Sequence, residues 1–226
     1  TANDPFSFGA VPGASGVILS TGEAEDFTNT SGEANQSTTT SSNTRGQNNN
    51  PDFNDAAQTR TYDASYLDVD FIPDNPVMTM QFVFTSEEYP EFQNSIFQDF
   101  VGVWVNGKFV EMEVGNGDVD PGNVNETTNE NLYVDNTGDA ANTEMDGFTL
   151  TLSLTMMVKP GEVNSIRIGI ADVSDSTFDS SLLIAADSVQ TDLVAITDTV
   201  RIDPDGSETI NVLDNDISAT NSTLTV

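Results

Sequence analysis

Carboxylates are concentrated in two short segments, each of which follows an apolar, strand-like run. The acids of residues 85–91 and 171–180 are Glu87, Glu88, Glu91, Asp172, Asp175 and Asp179. Calcium takes hard oxygen ligands from carboxylates and main-chain carbonyls, and adjacent like charges are unfavourable unless a cation or solvent screens them. Both segments are therefore predicted to bind calcium, although neither has the spacing of an EF-hand loop.

Two further acids complete the predicted set of metal ligands on weaker grounds, namely Asp99 and Asp146. The plain alternative for every segment is a solvated turn whose Asp and Ser side chains bond their own backbone. The acids at 118–123, 203–206 and 214–216 are interpreted as such ordinary turns rather than as interdomain calcium sites.

The charge balance limits the classes of partner. Thirty-seven acidic residues oppose six basic ones, which gives a formal net charge of -31. Phosphate backbones and anionic lipid surfaces would be repelled, so we expect no nucleic-acid partner and no membrane insertion. The acidity is explained by calcium sites, by a solvated surface adapted to salt, or by both. No apolar run approaches the ~20 residues of a membrane helix. The start at Thr1, without Met or a signal-like segment, favours a mature secreted product or an excised fragment.

The residues that most enzymes use are missing. The chain has no Cys and no His, which excludes thiolate zinc sites, cysteine nucleophiles and histidine general bases. Paired carboxylates could support glycoside hydrolysis, but pairing by chance is expected among so many acids. Trp104 and Tyr89 could stack on a sugar, but a single Trp in a strand block is more often part of the core. We therefore predict that the protein is not an enzyme.

The apolar residues form short blocks with β-branched or aromatic character, bounded by Gly, Pro, Asn and Asp, as in strands. These blocks are 16–20, 66–72, 77–85, 100–105, 108–114, 148–158, 165–171 and 181–186. Three of them alternate with period two: 66–71, with Val69 and Phe71 facing inward, then 78–84, and then 148–154 with Leu150 in the row. The pattern predicts an all-β fold, an antiparallel β-sandwich of jelly-roll or Ig-like type with long surface loops.

Local signals add detail to this sandwich. Asn106-Gly107 predicts a type I′ hairpin turn. Residues 29–54 are too polar for a strand core or a helix stripe and are predicted to form a surface excursion. The one helical hint lies at 86–98. A composition shift after Val194 divides the chain into a domain at 1–194 and a tail at 195–226. The tail is too short for an Ig-like core. It is either the start of a truncated domain or a strand that completes the sheet of a neighbouring subunit.

Five motifs span most of the first 180 residues. They lie at 15–22, 61–71, 82–92, 146–148 and 168–180, and include Ser-Glu-Glu-Tyr-Pro-Glu at 86–91. With these motifs the sequence resembles the choice-of-anchor L family of secreted bacterial surface proteins. The polar excursion over 29–50 and the short stretch from Asn106 to Glu113 depart from the family pattern. The resemblance implies a secreted or surface-anchored domain without an established activity. Residues 200–216 are similar to the opening of cadherin-like or Ig-like repeats.

Together these observations predict a secreted, calcium-binding structural or adhesion module of a bacterial surface or biofilm-matrix protein. The predicted cofactor is Ca2+, and its stabilising effect would act by binding the folded state alone. Identical subunits, joined into fibres by β-strand addition, are the first predicted partners. The alternative is a calcium-dependent module that recognises surface glycans or peptides.

Overall fold

The computed structural model describes residues 10–28, 35–112, 114–115, 117–186, 188–190, 193–194, 207, 209–213 and 217–218, with backbone alone at 193–194 and 217–218. In chain order the strands are β1 (Gly16–Ser20), β2 (Thr61–Phe71), β3 (Val77–Ser86), β4 (Phe100–Val105), β5 (Lys108–Phe109), β6 (Tyr133–Asp135), β7 (Gly147–Thr149), β8 (Leu152–Met157), β9 (Asn164–Val173), β10 (Ser180–Ala185), β11 (Leu193–Val194) and β12 (Ile217–Ser218). Among the described residues, the helices are α1 (Pro51–Ala57) and two 3-10 turns, Ala24–Phe27 and Glu130–Leu132.

Two sheets form the body of the fold. The six-stranded sheet has the order β1-β10-β3-β7-β6, with β8 beside the first half of β3, and the four-stranded sheet has the order β2-β9-β4-β5. Every pairing between these strands is antiparallel. The predicted all-β antiparallel sandwich is thus confirmed. Within the described part of the chain, no helix has the length and apolar character needed to cross a bilayer.

The core lies between the two sheets. The alternating row of β3, Met78 through Phe84, is buried and packs in one cluster with the inward row of β9, Ile166, Ile168 and Ile170. Each such side chain contributes about 1.5–3 kcal/mol when it is removed from water. Period-two patterning on facing strands therefore accounts for most of the fold.

Two predicted rows depart from the pattern. Leu150 is 43% exposed because it lies between β7 and β8, and Phe148 packs in a separate cluster with Val83 and Leu183. The predicted single row over 148–154 is therefore wrong. On β2, Val69 is 38% exposed and lines a groove, whereas Phe71 packs against the core.

The predicted surface excursion contains the α-helix of the fold. The Asn50 side chain caps α1 by accepting hydrogen bonds from the backbone N–H groups of Asp52 and Phe53, and Pro51 occupies the first turn. Phe53 is fully buried, and its ring centroid lies 4.8 Å from that of Trp104. The prediction that 29–54 forms no helix is therefore wrong at the end of this range. There the buried ring of Phe53 anchors a short helix of about two turns, which Asn50 caps.

The other local predictions had mixed outcomes. Asn106 and Gly107 both have positive φ, 52° and 74°, and connect β4 to β5, which confirms the hairpin. The predicted strand at 108–114 is confined to Lys108–Phe109, and the helical hint at 86–98 corresponds to turns. In the tail, β12 pairs with β11 of the same chain. Most of 195–226 lies outside the described residues, so both interpretations of the tail remain predictions.

A buried carboxylate end of the sandwich

Six of the seven predicted ligands lie at strand ends that the sheets bring to one end of the sandwich. In the six-stranded sheet, Ser86 pairs with both Ser180 and Gly147. Because each partner starts or ends a strand there, Glu87, Asp179 and Asp146 become neighbours. In the other sheet, Phe100 pairs with Ala171, which places Asp99 beside Asp172. We call this region the carboxylate end; its predicted members are Glu87, Glu88, Asp99, Asp146, Asp172, Asp175 and Asp179.

These carboxylates are buried rather than solvated. The exposed fraction is 0% for Glu87, 1% for Glu88, Asp99 and Asp146, 2% for Asp172 and 3% for Asp179, whereas Asp175 is partly exposed. Buried acids are usually paired with a base. The ion pairs of the described residues join Lys159 to Glu162 and Arg167 to Asp52 and Asp68, and none reaches the carboxylate end. The solvated-turn alternative therefore does not describe these six acids.

The centre of this end is formed by Asp99, Asp172 and Glu88, which we call the Asp99 centre. Asp99 Oδ1 accepts a hydrogen bond from the Val173 backbone N–H at 3.0 Å, and Asp99 Oδ2 accepts one from Ser180 Oγ at 2.7 Å. Asp99 lies close enough to Asp172 for its charge to raise the pKa of Asp172. Among the described residues, Asp172 Oδ1 and Glu88 Oε2 are buried and accept no hydrogen bond.

Electrostatics in the Asp99 centre strongly favour protons or a cation. Burial, followed by the charges of Asp175 and Asp172, raises the pKa of Glu88 to about 9. Burial, followed by the charge of Asp99, raises the pKa of Asp172 to about 11. Burial and the charge of Glu88 also raise the pKa of Asp99 well above its usual range. At neutral pH these groups ionise together only if a positive charge joins them.

Glu87 and Glu88 are consecutive but face different neighbours. The charges of Asp175 and Asp172 raise the pKa of Glu88, whereas the charges of Asp146 and Glu144 raise the pKa of Glu87. Burial is the main cause that raises the pKa of Glu87 to about 9, followed by the charge of Asp146. Burial raises the pKa of Asp146 as well. The carboxylate end therefore holds two groups of acids rather than one.

Asp179 and Asp175 have their own partners. The Asp179 carboxylate accepts hydrogen bonds from the Ser42 backbone N–H and from Ser42 Oγ, at 2.9 and 2.8 Å through Oδ2. Asp175 Oδ1 accepts from the Thr177 backbone N–H and hydroxyl at 3.1 and 3.0 Å, as in an Asx turn. Asp179 thus fastens a loop, and Asp175 lies at the edge of the site.

The segment at 35–50, here called the polar loop, was missed as a part of the site. Besides Ser42, it contributes the backbone N–H groups of Gln36 and Ser37, which donate to Glu144 Oε2 at 2.9 and 3.1 Å. Asn35 Nδ2 donates to Asp146 Oδ1 at 2.6 Å. Aperiodic Ser, Thr and Asn residues carry no strand or helix signal, although their side-chain oxygens are suitable calcium ligands.

Aromatic rings from the two acid-rich segments and their flanks pack against one another. The ring centroids of Phe92 and Phe178, from the segments after β3 and after β9, lie 4.8 Å apart, and that of Phe97 lies 6.1 Å from Phe92. Tyr89 is fully buried, and its hydroxyl donates to the Val124 carbonyl at 2.6 Å. Trp104 is 7% exposed. Burial of Trp104 confirms the core interpretation of this residue, and the fully buried ring of Tyr89 leaves no face on which a sugar could stack.

The number of acidic side chains that lie together limits the kind of metal site that the carboxylate end can form. Among the described residues, no three acidic side chains are arranged so that they could hold a metal ion together. The acids occur mainly as pairs, accompanied by hydroxyl and amide oxygens. Calcium accepts such mixed oxygen shells, whereas His or Cys ligands for transition metals are not available in this sequence.

Comparisons with known proteins concern the family and the fold. A search of curated proteins finds no match. Among solved structures, a family 35 carbohydrate-binding module from an environmental isolate aligns at 11% identity and a TM-score of 0.29 over 77% of this chain and 96% of that one. The insecticidal crystal protein Cry2Aa aligns at 13% identity and a TM-score of 0.28 over 56% of this chain and 16% of that one. Alignments this weak carry no functional argument. The choice-of-anchor L domain profile matches residues 5–190, and the chain therefore belongs to the choice-of-anchor L domain family.

Proposed function

We propose that this chain is a secreted, calcium-stabilised structural or adhesion module of a bacterial surface or extracellular-matrix protein. One observation carries the calcium part of this proposal: Glu88, Asp99 and Asp172 are buried together, without an ion-pair partner among the described residues, and two of their oxygens accept no hydrogen bond. Buried charge is costly unless it is paired or coordinates a metal.

A divalent cation is the economical partner for these acids. Calcium binding replaces protons on the carboxylates, so affinity rises with pH and binding releases protons. Asp172, Glu88 and the hydroxyl and main-chain oxygens around them supply hard ligands. Extracellular calcium modules bind with dissociation constants of about 10⁻⁴ to 10⁻³ M. A site of that strength would be filled outside the cell and would lock the strand ends together.

The role proposed is not catalytic. Glycoside hydrolysis needs two carboxyl groups that flank a substrate cleft. Asp99 and Asp172 are instead side by side at paired strand ends and nearly inaccessible to solvent. The surface location is supported by the resemblance that the choice-of-anchor L motifs carry, and by a charge that suits a salty, calcium-containing medium.

Calcium titration by calorimetry tests the proposal. We expect the wild-type chain to bind at least one equivalent, and Glu88→Gln and Asp172→Asn to lose binding at the Asp99 centre. Asp70→Asn removes the same charge from an exposed position on β2 and should bind as the wild type does. If Glu88→Gln and Asp172→Asn both bind as many equivalents of calcium as the wild type, with the same affinity, the basis of the proposal is removed.

The proposed assembly is β-strand addition between copies of this chain. An open groove of about 620 Å³ runs between the edge strands β1 and β2 and is lined by apolar side chains such as Val17, Leu67, Val69 and Ile72. Asp74 is the one charged residue among those that line it. For copies that each carry a net charge of -31, this is a face on which they can approach with little repulsion. Calcium would favour the contact by lowering the remaining charge.

A second candidate is recognition of a polar ligand such as a glycan. It is favoured by an open cavity of about 430 Å³ beside Val173, lined by carboxylate, amide and apolar side chains that include Asp118, Asp120, Gln98 and Ile96. Glycan arrays with and without calcium would show binding that Asp120→Asn weakens. If no glycan binds, the structural role is left as the better account.

A further inference from the structure

The group around Glu87 contains several oxygen atoms that no donor satisfies. Glu87 is fully buried, and neither Oε1 nor Oε2 accepts a hydrogen bond from the described residues. The same holds for two side-chain oxygens of the polar loop, Asn35 Oδ1 and Thr40 Oγ1. An unsatisfied buried polar group costs about 1–3 kcal/mol, and more when it is charged. Four such atoms in one region call for a ligand.

These atoms are connected through their neighbours. Thr40 lies close enough to Glu87 for its hydroxyl and its backbone to lower the pKa of Glu87, although neither Glu87 oxygen accepts a hydrogen bond of normal geometry. Asp146 acts on Glu87 through its charge and accepts a hydrogen bond from Asn35 Nδ2. Thr40 thus adjoins Glu87, and Asn35 adjoins Asp146. The charges of Asp146 and Glu144 both act on Glu87.

The orientation of Asn35 is fixed by its donors. Its amide nitrogen donates to Asp146 Oδ1 at 2.6 Å and to the Asn136 carbonyl at 3.0 Å. Both partners are acceptors, so the amide cannot be flipped without losing both bonds. Asn35 Oδ1 must then point away from them, as an acceptor without a donor.

We propose that Glu87, Asp146, Asn35 and Thr40 form a second cation site that takes a hard divalent ion, calcium, and fastens the polar loop to the end of β3. The two carboxylates balance the charge of the ion, and the amide, hydroxyl and main-chain oxygens complete an oxygen shell. This site rests on the calcium-stabilised role proposed above, but it shares no side chain with the Asp99 centre.

The second site gives the polar loop a function. Its residues reach the body of the fold through hydrogen bonds to Glu144, Asp146 and Asp179. All three anchors are acids, and the charge of Glu144 acts on both Asp146 and Glu87, a repulsion that weakens this end of the loop attachment. A cation bound between Glu87 and Asp146 removes that repulsion where the loop crosses the end of the six-stranded sheet. Calcium then sets how often the loop opens.

Equilibrium dialysis of the full chain with calcium alone tests this assignment. We expect two equivalents for the wild type, one for Glu87→Gln and one for Asp172→Asn. Thr40→Val is nearly isosteric and should weaken the second equivalent, whereas Thr39→Val, its exposed neighbour, should not. Hydrogen exchange of residues 35–44 supplies a second readout. Calcium at about 100 times its dissociation constant should slow loop opening by about 100-fold in the wild type. That slowing should be lost in Glu87→Gln.

The outcomes separate the two sites. Suppose that the wild type binds one equivalent of calcium, and that this equivalent is lost in Asp172→Asn but kept in Glu87→Gln. This result would overturn the second site and leave the Asp99 centre intact. One equivalent with the opposite pattern would support the second site alone. The assignment would also be overturned if Glu87→Gln and Thr40→Val both bind two equivalents of calcium and if calcium slows hydrogen exchange of the loop equally in all three proteins. A lower stability of Glu87→Gln would not change that conclusion.

Discussion

Raising the pH of the calcium-free protein from 5 to 8 should destabilise it steeply. Carboxyl groups in water titrate near pH 4, whereas the pKa is raised to about 9 for Glu87 and Glu88 and to about 11 for Asp172. Between those limits the folded state holds protons that the unfolded state has released. Stability is therefore fully present only at acidic pH and is lost as the pH rises toward the folded-state pKa values.

The size of the effect follows from the number of groups. Each group that is protonated in the folded state alone lowers the free energy of unfolding by about 1.4 kcal/mol per pH unit. Three such groups over three pH units set an upper bound of roughly 12 kcal/mol, because the charge of Asp172 itself contributes to the raised pKa of Glu88. Even half of this bound is comparable with the 5–15 kcal/mol that holds a typical domain together. The calcium-free fold should thus be marginal or unfolded at pH 8.

Urea denaturation of metal-stripped protein at pH 5, 6, 7 and 8 measures this slope, and the same series with calcium shows whether the ion removes it. Asp172→Asn should flatten the calcium-free slope by about 1.4 kcal/mol per unit. Asp70→Asn controls for the general repulsion of a highly acidic chain. A free energy of unfolding that stays level or rises from pH 5 to 8 without calcium would refute the reasoning.

Three further predictions concern the scaffold and its assembly. Phe53→Ala should lower the free energy of unfolding by about 3–5 kcal/mol, measured by urea denaturation, because it empties the aromatic cluster that holds α1. Gly22→Ala places a methyl group 1.8 Å from Asp179 Oδ2, which Ser42 holds, and should cost about 1–3 kcal/mol in the same assay. Gly138→Ala meets no atom within 4 Å and should be nearly neutral. Ile72→Asp, at a 62% exposed groove position, should leave the melting temperature almost unchanged but abolish the calcium-dependent rise in light scattering; unaltered scattering would contradict the strand-addition proposal.

Patterned strands were predictable, and so was the place of the acids. Alternation from Met78 to Phe84 has one physical solution, a strand with one face in the core. Acids that directly follow or precede such strands, as Glu87 and Asp179 do, must gather where antiparallel strands begin and end. The sequence could not reveal that Glu87 and Glu88 face different groups, since the direction of each side chain depends on how the strand leaves the sheet.

The parts that escaped prediction lack periodicity. The Asn50-Pro51 pair is a recognisable helix start, but the surrounding polar composition obscured it. Leu150 breaks its row because β7 and β8 are separate strands along β3, a register effect that no single segment encodes. The contacts of Asn35, Thr40 and Ser42 with the acids depend on the path of the whole loop.

A calcium titration of the wild type and of Asp172→Asn at pH 7.5, followed by calorimetry in two buffers of different ionisation enthalpy, tests the central claim most directly. The account predicts saturable binding by the wild type with release of protons, and loss of an equivalent in Asp172→Asn. Absence of binding at millimolar calcium, or identical binding by the two proteins, would contradict it.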